Sequence, residues 1–321
     1  FASYDFVRQI VGDKAEATML LKPGAEAHSY EPSPKDIQAI GKSDLFVYTG
    51  GDSDEWVDGM LSSIDKSKLK TLKMMDTVKL YEEEMSEGMQ EEEHEHHHDD
   101  KDHHDEDKDH HHDEDKEHHH DDKDSHDKEH HHDDKEHHHH DGEEGPEMDE
   151  HVWTSPANAI QIVKALTETI SGLDKDNAQT YQKNAEAYIA KLEKLDKDFH
   201  DVIDHAKRKE IIVGDRFPFL YFAKEFGLTY YAAFPGCSTD TEANPATIAF
   251  LVDKVKEDHI PVVFHIEMSN EQMSKAIAEA TGAKNELLNA VHNVSDEEFK
   301  KGVTYIDLMN HNVKVLKEAL N

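Results

Sequence analysis

The chain is poor in cysteine and in positive charge, and no long apolar run interrupts it. Cys237 is the single cysteine in 321 residues. That excludes an intrachain disulfide and a zinc cluster built on several thiolates; the thiol is expected to be buried or half-buried. No apolar run approaches the roughly 18 residues needed to span a bilayer. Lys and Arg number 35 against 72 Asp and Glu, and no basic patch or arginine-rich helix is present. Nucleic acid is therefore excluded as a partner, while the charge gathers cations.

What is abundant is concentrated. Glu82 to Glu150 holds 33 of the 72 acids, only 6 of the 35 Lys and Arg, and 20 of the 28 histidines. The histidines come as "HHH", "HH" and "HHHH" between Asp, Glu and Lys. Few aliphatic residues and no periodicity predict a disordered insertion of about residues 82–150, because such a segment cannot bury a core. Flexible imidazole clusters bind several Zn²⁺ ions weakly and exchange them fast, since no geometry is built in advance. "HEHHH" at His94–His98 fits a zinc-protease pattern, but that chemistry needs two histidines on one face of a stable helix. "GKS" at Gly41–Ser43 lacks a phosphate-loop glycine five residues earlier, where Asp36 stands. Neither motif supports catalysis.

Outside the insertion the pattern alternates helix and strand. "SPKDIQAI" predicts a helix capped by Ser33, with Pro34 at its first position and Asp36 completing a capping box. "AEATMLL", "DLFVYTGG" and "KTLKMMD" read as strands. "HVWTSP" repeats the Ser-Pro helix start at Ser155 and Pro156. In "NAQTYQKNAEAYIAKLEKLDKDFHDVIDHAK" the apolar residues Tyr181, Ala185, Tyr188, Leu192, Leu195 and Phe199 recur at spacings of three and four. This predicts one connecting helix on the order of 45 Å long. The last third alternates short apolar strands with helices of 10–15 residues, which points to parallel βαβ units. The expected fold is α/β: two Rossmann-like lobes with parallel sheets, joined by one long rigid helix, with a cleft between them. The expected boundaries are a first lobe at 1–172, the connecting helix at 174–208 and a second lobe at 209–321.

Ligands of open parallel sheets sit at the carboxyl ends of the strands. His28, His151, Asp215, His265, Glu267 and His292 fall at or near such ends. Imidazole nitrogens with carboxylate oxygens suit zinc or, with more oxygens, manganese. His200, His205, His259 and His311 lie in or at the ends of predicted helices and read as surface histidines.

"LKPGAEAHSYEPSPKDI" with "DLFVYTGG", then "HVWTSP" and "YFAKEFGL", resemble the metal-binding solute-binding proteins of zinc and manganese ABC transporters. The resemblance covers nearly the whole ordered chain. It implies a non-enzymatic, extracytoplasmic carrier, usually lipid-anchored upstream of the first residue, that delivers one metal ion to a membrane permease. "FASYDF" then reads as the continuation of a leading strand and export sequence, and a monomer is expected. His28 and His151 match the family's first-lobe histidine ligands. The third-ligand position, five residues before Tyr221, holds Arg216, which cannot bind a cation. Here the chain departs from the pattern, and the neighbouring Asp215 is taken as an oxygen ligand. His292 falls, with a one-residue gap, where the family's last-strand aspartate lies; His265 and Glu267 are the reserves. Three histidines and one carboxylate favour Zn²⁺ over Mn²⁺. Zinc-type members also often carry a His- and acid-rich insertion here, so the tract is expected to collect or sense zinc beside the cleft. Competing readings are a manganese carrier using Asp215 and Glu267, a histidine-rich extracellular buffer or adhesin, and a zinc hydrolase with Glu267 as base.

Overall fold

Polar caps start half of the ten described α-helices. Ser33 Oγ accepts from Asp36 N while Asp36 takes Ser33 N, and Pro34 opens α2 (Pro34–Ile40). This closes two of the amide groups that a helix start leaves unpaired. Ser155 Oγ caps α4 (Pro156–Leu173) through Asn158 N, and Asn244 caps α7 (Pro245–Glu257) through Thr247 N.

The computed structural model describes residues 1–65, 67–89, 147–238 and 243–321. Phe1–Glu92 and Pro146–Asn321 form one compact unit. The histidine tract expected to be disordered lies outside the described residues. Its two flanks are built: Glu82 and Met148 form an antiparallel bridge, Glu83 N donates to Glu147 O, and Asp149 N donates to Tyr81 O.

The first lobe contains α1 (Ala2–Val11), α2, β1 (Leu45–Tyr48), α3 (Trp56–Ser63) and β2 (Lys70–Lys73). Its sheet is the parallel pair β1–β2. The strand expected at "AEATMLL" does not form. Residues 15–21 instead line a cavity of about 940 Å³ that β1 also lines. A strand needs a hydrogen-bonded neighbour, and among the described residues no strand pairs with this segment.

The connecting helix, α5 (Ala178–Ile203), follows α4. Tyr181, Ala185, Tyr188, Leu192, Leu195, Phe199 and Ile203 are all buried, so the apolar stripe is core on one side. It packs against α4, α10 (Tyr305–Leu320) and α1. Burying each large side chain of that stripe is worth about 1.5–3 kcal/mol, and Leu192→Ala would cost about 2–5 kcal/mol.

The second lobe holds β3 (Glu210–Phe217), α6 (Leu220–Phe226), β4 (Thr229–Pro235), α7, β5 (Val262–His265), α8 (Gln272–Thr281), β6 (Lys284–Leu287) and α9 (Asp296–Lys301), then α10. Its four parallel strands run in the order β4-β3-β5-β6. The chain passes from β3 to β4 on one side and then crosses back to β5 on the other, so the direction of winding changes between β3 and β5, where a crevice opens beyond their carboxyl ends. Gly214 lets α8 lie close on β3: a Cβ there would stand 2.6 Å from Ser274 Cα. The β3–β4 register shifts between Val213 and Arg216, which re-aims the side chains at the end of β3. Among the described residues no helix is long and apolar enough to cross a membrane.

Candidate metal centre

Three segments without regular structure bring three histidines together. His28 lies in the loop between α1 and α2. Asn293 Nδ2 donates to Lys22 O and Ala25 O of that loop, and Gly24 N donates to Val294 O. His151 precedes a short 3₁₀ turn, Val152–Thr154, that leads into α4. His292 follows β6 on a stretch where Val291 takes a φ of 64°.

One ring nitrogen from each of His28, His151 and His292 lies within 4.8 Å of the others. Ring centroids are 5.4 Å apart for His28 and His151, 5.2 Å for His28 and His292, and 4.9 Å for His151 and His292. In all three rings Nε2 is buried and has no hydrogen-bond partner among the described residues. Such orphaned nitrogens are costly in a protein interior unless something else occupies the space between them.

The opposite nitrogen of each ring is held. Asp149 Oδ1 accepts from both the backbone N of His151 (2.8 Å) and its Nδ1 (3.1 Å). Glu267 Oε1 does the same for His292, at 2.7 and 3.2 Å, while Glu267 Oε2 accepts from Ala290 N at 2.7 Å. A carboxylate on Nδ1 fixes the proton there and turns the Nε2 lone pair inward, as in metal-binding histidines generally. His28 Nδ1 lies 2.9 Å from Ser53 Oγ, and Ser53 N donates to Glu150 Oε1. Gly236 permits close packing at this point: a Cβ would meet Asp149 Oδ2 at 3.1 Å and His151 Cε1 at 3.2 Å.

Electrostatics keep two rings neutral. Burial pushes His28 down to about 2, with help from His292, His151 and Arg216. Burial and the charge of His151 hold His292 well below the ordinary imidazole range. Burial also opposes charge on His151, but Asp149, Glu150 and Glu83 raise it above its usual value. The result is a pocket with electron pairs to give and negative charge behind it, suited to a soft or borderline divalent cation.

The structure therefore brings together His28, His151 and His292 but not Asp215. That residue is buried at the end of β3, where its Oδ1 accepts from Arg216 N at 2.9 Å. The register shift that precedes Arg216 is the local reason a one-residue reading of this strand end does not place its side chain. Of the reserves, His265 is turned to Asn285, with Nδ1 3.0 Å from its Oδ1, and Glu267 anchors His292. The anchoring roles of Asp149, Ser53 and Glu267 were not legible in sequence. Asp149 alone carries a signal, standing two residues before a candidate ligand.

A second group, Glu83, Glu147 and Cys237, also lies within 4.8 Å. Burial, with Asp149, Glu83 and Glu150 nearby, holds the half-buried Cys237 thiol far above its ordinary value. That keeps it protonated and a poor ligand.

Residues 1–319 match the family model described as "ZnuA: Zinc-uptake complex component A periplasmic". The chain is 34% identical to the high-affinity zinc uptake system protein ZnuA of Bacillus subtilis over 320 residues, covering all of this chain and 85% of that protein. It is 31% identical to the zinc-binding lipoprotein AdcA of Streptococcus pneumoniae over 316 residues, 98% of this chain and 54% of the relative; the chain thus spans about half the length of AdcA. Among solved structures, the Zn(II)-bound ZnuA-like domain of Streptococcus pneumoniae AdcA superposes with a TM-score of 0.71 at 28% identity, covering 100% of this chain and 96% of that one.

Proposed function

Because the chain belongs to the ZnuA family of zinc-uptake components, we propose that it is an extracytoplasmic carrier. It binds one Zn²⁺ on His28, His151 and His292 and passes it to the permease of an ABC transporter. The observation that carries this reading is the convergence of three buried, partnerless Nε2 atoms whose rings are each tied from behind. A lipid anchor and a monomeric carrier belong to the same reading, as does a zinc-collecting role for the histidine tract.

Three imidazoles suit zinc, whereas manganese prefers oxygen donors. The manganese reading needs Asp215 and Glu267 as ligands, and Glu267 is already engaged with His292 and Ala290. A hydrolytic reading needs a free general base beside a metal-bound water. Glu267 is fully committed, and Glu26, beside the His28 loop, is paired with Arg216.

Capture then requires little rearrangement of the ligands. His28 and His292 arrive neutral, and the cation replaces whatever proton His151 carries. Asp149 and Glu267 hold the rings in place and offset part of the cation's charge through them.

The test is competition for Zn²⁺ against a chromophoric chelator, using the full chain and a chain lacking residues 91–143. One tight site that survives the deletion and is lost in His28→Ala, His151→Ala and His292→Ala supports the carrier. Tight binding that disappears with residues 91–143 would make the protein a histidine-rich buffer instead.

A further inference from the structure

The three-histidine group is flanked by an ion pair. Arg216, at the end of β3, reaches across to the His28 loop, and one of its terminal nitrogens lies 3.2 Å from Glu26 Oε2. Its other terminal nitrogen is 3.4 Å from Ser238 O. Glu26 Oε1 accepts from the backbone N of Ala27 (3.0 Å) and of His28 (3.3 Å). A carboxylate two residues from a candidate ligand is thus fastened to that ligand's own backbone and capped by a guanidinium. Both groups act on the rings: the Arg216 charge opposes protonation of His28 and His292, and the Glu26 charge favours it.

A tetrahedral zinc site needs a fourth donor. Among the described residues the group holds three imidazoles and no carboxylate. Glu26 is the anion fixed to the His28 loop, yet Arg216 occupies one of its oxygens with a charged hydrogen bond, the strong kind. Resting on the metal-site reading above, we propose that Arg216 sets how tightly the metal is held: it keeps Glu26 out of the coordination shell and leaves the fourth position to water or a small anion. Arg216 is a positioning residue in this scheme. A site with three protein donors and an exchangeable fourth releases its cargo more readily than a closed one.

The test uses Co²⁺ as a visible probe and azide as a reporter of an open position, in the full-length chain. The spectrum of a His28→Ala/His151→Ala/His292→Ala variant is subtracted to remove metal bound elsewhere. In the wild type, azide shifts the Co²⁺ absorption bands. In Arg216→Gln the freed Glu26 fills the position, so azide no longer shifts the bands and Zn²⁺ binds at least about tenfold more tightly. Arg216→Gln/Glu26→Gln restores both the azide response and wild-type affinity. Glu26→Gln alone keeps the azide response, and this variant leaves Arg216 and its strand untouched should Arg216→Gln fail to fold. The proposal is overturned by a wild-type spectrum indifferent to azide, by an Arg216→Gln protein that stays azide-sensitive, or by loss of tight binding in Glu26→Gln. Failure of the underlying site reading looks different: cobalt binding would then be unchanged in the triple-histidine variant.

Discussion

The two sheets differ in how completely they are built. In the second lobe four parallel strands close a core in which Ile212, Val263 and Phe264 are fully buried. In the first lobe two strands stand beside a cavity of about 940 Å³, lined in part by Val7, Met19, Leu45 and Val47 and reaching His28 and His292. The three histidines follow the same division. His292 is anchored inside its own lobe by Glu267, which sits just beyond β5. The loop carrying His28 is pinned largely from the other lobe, by Asn293 and by the carbonyl of Val294. The lesson is that the His28 loop is positioned by the second lobe, whereas His151 is held by its own neighbour Asp149.

Four substitutions probe this contrast, from the largest effect to the smallest. Phe264→Ala should destabilise the protein by about 3–5 kcal/mol, the usual cost of emptying a close-packed aromatic site. Phe46→Ala, beside the cavity, should cost clearly less in the same denaturant titration, and equal costs would erase the distinction. Glu267→Ala strands the amides of Ala290 and His292 and frees the His292 ring. We expect zinc affinity to fall about 10–100-fold, with about 1–3 kcal/mol of stability lost for each buried donor left unpaired. Ser53→Ala removes only the contact behind His28; it should weaken zinc by about tenfold or less, the lower end of such effects, and leave the melting temperature unchanged. A larger effect than that of Glu267→Ala would reverse the assignment of which lobe does the positioning.

The smallest effect concerns pH at the junction. Burial raises the Glu225 carboxyl to about 7, and Asp196 adds to this against hydrogen bonds from Ser155 and the backbone N of Ala157. Its pKa is higher folded than unfolded, so between about 4.5 and 7 the native state binds more protons. Its contribution is present in full below the unfolded value and is lost as pH rises through about 7. Thermal melts should show wild-type stability declining over that window, and Glu225→Gln should flatten the decline. Zinc binding has the opposite sign. With His28 and His292 held neutral, acidification should weaken affinity chiefly through the one proton that His151 takes up. Chelator competition across pH would then show a slope near one, and a slope near three would contradict it.

Local signals in the sequence carried much of this organisation. The Ser33–Pro34–Asp36 cap, the Ser155–Pro156 start and the apolar stripe of α5 are short-range patterns, and each corresponds to an element in place. His28, His151 and His292 are singled out chiefly by the resemblance of their flanking motifs, and the structure brings their rings together although only His292 follows a strand. What could not be read depended on partners far along the chain. Residues 15–21 have strand composition but no adjacent strand. Asp215 lies within an irregularity in β3 that spacing does not reveal. Glu267 looks like a ligand by type and acts as an anchor, because its two oxygens meet amides that fold back from Ala290 and His292.

Trp153 donates its indole N–H to Ala290 O and stands edge-on to both His151 (5.5 Å) and His292 (5.7 Å). The chain has only one other tryptophan, Trp56, which packs with Tyr30 and Phe46 in the first lobe. A protonated imidazole against an indole quenches its emission, and a cation that displaces that proton relieves the quenching. On the carrier reading, zinc binding should therefore change tryptophan emission without any label, and Trp153→Phe should abolish that change.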